Sequence, residues 1–155
     1  MSMLMGARGV GALVGPLMAS RFTGQHENRL RIGVLAGFII GGVGYVALGN
    51  MYSVWAAMAV IVFAHSGTST VWVFSTTLLH LNAEDRFMGR VFGAELGISM
   101  FVLAAAAWAA GQAIDDGVSP RTVAMATGAA MIIPSVMWAF ALRLWRPKLT
   151  PECAT

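Results

Sequence analysis

The sequence predicts an all-α membrane protein whose five helices cross a lipid bilayer. Three observations predict it. Only 11% of the 155 residues are charged, where a water-soluble domain carries about 25%. So few charges cannot coat a surface that faces water. The mean hydropathy is +0.72. A hydrocarbon layer about 30 Å thick needs about 20 helical residues to cross it, and five apolar runs reach that length.

The first run spans about residues 2–20, with Arg8 as its only charge, and the polar stretch Arg21 to Arg29 ends it. The start, MSMLMGARGV, lacks a basic segment before its apolar run, so it reads as a membrane segment and not as a signal peptide. The second run spans about 30–49, carries Arg31 at its start, and ends at the turn signal Gly49-Asn50. The third spans about 53–79 and the fourth about 90–113. The fifth spans about 121–142, with Ser119 as N-cap and Pro120 at the first helical position. Residues 1–143 therefore form the transmembrane domain and 144–155 a polar tail.

Strands do not fit these runs. Barrel strands are about 10 residues long and alternate polar with apolar. In lipid every backbone group needs an internal partner, and helices supply it. A soluble helical bundle would show polar stripes, whereas these runs are apolar around most of their circumference.

Charge sets the orientation. Five crossings put residues 21–29, residues 80–90 and the tail on one side. With flanking residues, that side holds Arg21, Arg29, Arg31, Arg86, Arg90, Arg143, Arg146 and Lys148. The other side holds Arg121, with Arg8 inside the first run nearer to it. Basic residues concentrate on the cytoplasmic side. The expected protein is multi-pass in the plasma (inner) membrane, with a cytoplasmic C-terminus. An N-terminus that starts outside with a crossing predicts a fragment of a longer protein. The net charge of +3 follows from these flanking residues, so no nucleic-acid partner is expected. One cysteine, Cys153, builds neither an intrachain disulfide nor a multi-cysteine metal site.

Within the runs a few residues stand out. Gly11 and Gly15, and Gly33, Gly37 and Gly41, recur every four residues and put small faces on two helices. That pattern reads first as static packing and second as a moving interface. His65-Ser66-Gly67-Thr68-Ser69-Thr70 lies in the middle of the third run. Polar groups there need partners or a wet cavity. His65, Ser66, Ser69 and Trp72 are the candidates for lining such a cavity, with buried structural hydrogen bonding as the other reading. Gly67-Thr68-Ser69 has the form of an intramembrane protease element, but His26 and His80 sit in or beside loops, so no second-helix base is in place. No enzyme, cofactor or metal site is expected. Glu95 is the acid inside an apolar run, a candidate for proton coupling. It lies about 10 Å from Arg8 along the membrane normal, so each is expected to have another partner.

The stretch GARGVGALVGPLMASRF resembles helix eight of a major facilitator superfamily transporter leading into helix nine. STTLLHLNAEDRFMGRVFGAELGISMF resembles the passage from helix ten to helix eleven in drug and siderophore exporters of that superfamily. Its pattern rests on Asp85, Arg86, Gly89, Arg90, Val91, Phe92 and Gly93. In the first loop Gly15, Arg21 and Gly24 follow the family's basic motif, while Ser20 stands where the family has an acid. The resemblance implies helices eight to twelve of a twelve-helix carrier, without helices one to seven. It implies a proton-coupled efflux carrier of small molecules that needs those helices to transport. In that frame helix ten lines the cavity, helices nine and twelve sit outermost, and Arg8 and Glu95 lie at the interface between halves. The alternative is a non-transporting membrane scaffold or assembly subunit held by its glycine faces.

Overall fold

The computed structural model describes residues 2–23 and 26–144. The tail beyond Leu144, with Cys153, Arg146 and Lys148, and Gly24 of the first loop lie outside the described residues. Among the described residues the secondary structure is entirely helical. The helices are α1 (Ser2–Thr23), α2 (Glu27–Gly49), α3 (Val54–Asn82), α4 (Met88–Asp115), α5 (Pro120–Ala130) and α6 (Ile132–Leu144). A short 3-10 turn, Asp85–Phe87, precedes α4. Five spans are long and apolar enough to cross a membrane, with α5 and α6 together forming the fifth.

The helices run past the apolar limits because their last polar turns continue the backbone hydrogen bonding. Thus α2 begins at Glu27 rather than at residue 30, and α3 continues to Asn82. The fifth run departs from the expectation of one unbroken helix. It breaks at Met131, between α5 and α6. Pro134 has no N–H to give to the carbonyl of Ala130, and its ring crowds that carbonyl. Ser119 caps α5 as its position predicts: its side chain accepts from the Thr122 N–H at 3.2 Å, and Pro120 occupies the first turn.

Short connections fix which ends meet. Beyond Asp115 the backbone closes a Schellman turn. Gly117 N–H donates to Ile114 O at 3.0 Å and Val118 N–H to Ala113 O at 2.9 Å. Gly117 takes φ +89°, open to glycine at no steric cost. At one end of the bundle Asn82 donates to Glu27 at 3.1 Å, and the Trp138 indole donates to Arg31 O at 2.9 Å. Glu27 also pairs with Arg31, the one ion pair among the described residues. At the opposite end Arg121 lies 4.3 Å over the Tyr52 ring, and Asn50 meets Met125.

Helix α3 is the centre, packed by α1 on one side and α2 on the other, while α2 also packs against α5 and α6. Leu30, Val34, Phe74 and Leu78 form the buried cluster, with Trp138 and Ala19 against it. Glycine makes the approach possible. A Cβ at Gly67 would stand 2.7 Å from Gly37 O, and one at Gly15 would stand 2.6 Å from the Ser66 Cα. Lipid gives no hydrophobic drive between helices, so this close backbone contact supplies the packing energy. By contrast α4 has no buried residue, and its main contacts are with α5 and the turn before it. Its outward Leu96, Phe101 and Trp108 are 51%, 75% and 70% exposed. A face of that size would be a liability in water and is at ease against acyl chains.

Candidate functional site

Three polar side chains from three helices meet at one place. Arg8 on α1 donates from Nε to His65 Nε2 on α3 at 2.6 Å. On the far side of the same ring, His65 Nδ1 lies 3.3 Å from the Tyr45 hydroxyl on α2. Tyr45 and His65 also meet edge to face, with centroids 6.2 Å apart. The guanidinium can only donate. His65 therefore accepts at Nε2, carries its proton on Nδ1, and donates that proton to the Tyr45 oxygen. The donor direction runs from α1 through α3 to α2.

The local sequence explains the meeting. Gly11, three residues beyond Arg8, packs against Val62 and His65. Gly44, beside Tyr45, would place a Cβ 2.6 Å from that of Ala64, beside His65. Small residues next to each polar one let three backbones close until the polar tips touch. His65 lies 11 residues into α3, about 16 Å along the helix.

This chain borders a cavity of about 610 Å³ that separates α3 from α4. His65, Thr68 and Trp72 face it from α3, at i, i+3 and i+7 on one helical face. Ile98, Ser99 and Leu103 face it from α4. A second pocket of about 300 Å³ lies on the other side of the Arg8–His65 contact, walled by Leu4, Met5 and Leu48.

The residues singled out from sequence divide between places. His65 and Trp72 line the larger cavity. Ser66 faces a different space, a groove of about 360 Å³ between α1 and α2, and it donates to Phe63 O at 2.7 Å. Ser69 is half-buried and is not part of the cavity wall. Thr70 bonds back to Ser66 O at 2.7 Å, and Thr68 to His65 O at 3.3 Å. Much of this polar run thus satisfies itself along its own helix. Glu95 is half-buried on α4, and among the described residues it has no hydrogen bond or ion pair. It is not brought to Arg8. Arg21 is exposed in the last turn of α1. Asp85 opens the 3-10 turn, Arg86 stacks 4.4 Å over Phe87, and Gly89 and Arg90 begin α4 exposed. Among the described residues no three His, Cys, Asp or Glu side chains gather as a metal site would require.

Tyr45 is the member that the sequence reading missed. The signal was present: it is a hydroxyl-bearing ring well inside the second apolar run, and such a hydroxyl needs a partner when buried. Comparison of the chain with family models, with curated proteins and with solved structures finds no match.

Proposed function

We propose that these five helices are the part of a major facilitator carrier that corresponds to helices eight to twelve. Together with helices one to seven they form a proton-coupled efflux carrier of small molecules in the plasma (inner) membrane, with the C-terminal side in the cytoplasm. The observation that carries this reading is the Arg8–His65–Tyr45 chain at the edge of the cavity between α3 and α4. Ionisable groups inside a membrane bundle are costly and mark substrate or ion routes. A cavity of this size is in the range of small-molecule sites. The arrangement of helices supports the reading as well. The proposed helices ten and eleven, α3 and α4, supply most of the cavity wall, while the proposed helices nine and twelve, α2 and α5–α6, pack against each other and add Tyr45, Thr127 and Met131 to it. No catalytic residue and no cofactor belong to it.

Glu95 carries the proton in this reading. A carboxylate in low dielectric is costly when charged and tolerated when protonated, so its protonation biases one conformation of α4 over the other. The test is proton-driven efflux from energised inverted membrane vesicles that hold the natural polypeptide. Glu95→Gln, neutral at all times, is expected to abolish the dependence on the proton gradient. Unchanged gradient-driven efflux would overturn the assignment. The tight glycine contacts around α3 favour a second reading, a rigid scaffold subunit that transports nothing. No gradient-driven flux of any solute in the same vesicles selects it.

A further inference from the structure

We propose that the Arg8–His65–Tyr45 chain is the binding site for the carboxylate of an amphipathic organic anion, whose apolar body lies along the α4 wall of the cavity. The proposal rests on the carrier reading and names its substrate class.

The argument starts from what Arg8 lacks. Its Nε is committed to His65, and among the described residues its two terminal nitrogens have no hydrogen-bond partner and no carboxylate within ion-pair reach. Arg8 is exposed at the cavity wall, and a guanidinium at membrane depth without an acid is an expensive arrangement. Its neighbour does not neutralise it. His65 accepts one bond and adds no negative charge.

The remaining valences point to an anion. Arg8 and Tyr45 both line the cavity. The guanidinium offers a fork of parallel N–H groups that matches the two oxygens of a carboxylate. The Tyr45 oxygen receives the His65 proton, so its own O–H is free to donate outward. The chain therefore presents two donors to the cavity, the Arg8 fork and the Tyr45 O–H, beside the one fixed positive charge. His65 acts as a positioning residue: it holds the guanidinium plane on one side and the phenol on the other.

The rest of the wall sets the body of the ligand. Ile98, Met100, Leu103 and Met131 are apolar, with Trp72 as a flat ring among them. A lone inorganic anion would leave that wall empty. A carboxylate on a short apolar tail meets both parts.

The test uses the full chain in phosphatidylcholine nanodiscs and equilibrium dialysis of radiolabelled 4-phenylbutyrate. Saturable binding is expected, with 4-phenylbutylamine and 4-phenylbutanol competing at least about tenfold more weakly. Arg8→Gln is expected to weaken binding by at least about tenfold, and Tyr45→Phe by about threefold. Arg8→Lys keeps the charge but loses the fork, and is expected to fall between these. It serves if Arg8→Gln does not fold, as read by circular dichroism and a monodisperse elution. Arg143→Gln, a charge at the end of α6, is expected to leave binding unchanged. Equal competition by the alcohol, or full binding by folded Arg8→Gln, overturns the proposal. So does displacement of phenylbutyrate by lower concentrations of dihexanoylphosphatidylglycerol, which would assign the site to a lipid headgroup. Gradient-driven efflux that persists without carboxylate binding would remove this proposal and leave the carrier reading standing.

Discussion

A single atom decides how closely α2 and α3 approach. Gly67 faces Gly37 and the backbone of Gly41, so a Cβ there would stand 2.7 Å from main-chain atoms that cannot swing aside. The glycines of α4 are different. Gly93 and Gly97 have nothing within 4 Å of such a Cβ. Gly67→Ala is therefore expected to lower the melting temperature in detergent, at a cost of about 1–3 kcal/mol from overpacking. Gly93→Ala is expected to leave it level or raise it slightly, since alanine is the better helix former. A thermal melt followed by circular dichroism checks both. The sequence displayed the glycine spacing on α1 and α2, but not that both faces grip the same helix. Spacing along one chain fixes a face and says nothing of its partner. The same limit explains Arg8: its need for a partner was legible, while its finding His65, 57 residues away, depends on tertiary packing.

At the level of the helix, composition carried most of the information. The spans are legible because a bilayer demands a minimum apolar length, and the sequence meets that demand five times. The missed feature was the break at Met131. Its cause, Pro134, was visible, but a proline acts one turn upstream of itself, so the break falls where the sequence is bland. Pro16 sits inside α1 without dividing it, so the residue alone does not decide the outcome. Pro134→Ala restores the missing donor and is expected to join α5 and α6 into one helix. Amide exchange near Ala130 and Met131 reports it, as protection that rises by about tenfold if the new bond contributes about 1 kcal/mol or slightly more. Equal exchange in both proteins would mean that packing against α2, not the proline, sets the break. The division of the polar run on α3 belongs to this scale too. Ser66 and His65 are neighbours in sequence and about 100° apart around the helix, so they face different spaces.

Across the whole molecule the two ends differ in charge. The end where Asn82 meets Glu27 also carries Arg21, Arg29 and Arg86, whereas the end with Asn50 carries Arg121. The positive-inside rule then predicts that Glu84 lies in the cytoplasm and Asn50 outside. In a Cys153→Ser background, a cysteine at Asn50 is expected to react with a membrane-impermeant maleimide in intact cells. A cysteine at Glu84 is expected to react only after the membrane is opened. The reverse pattern would invert the predicted topology.

The way α4 is tethered has a mechanical consequence. One end is tied through the 3-10 turn at Asp85–Phe87 to α3, and the other through the Schellman turn at Gly117 to α5. Between these ties no residue of the helix is buried. A rod pinned at both ends and unsupported along its length can roll or bow, but it cannot slide. Any motion of α4 against the bundle therefore changes the width of the space beside Arg8 and leaves its depth fixed.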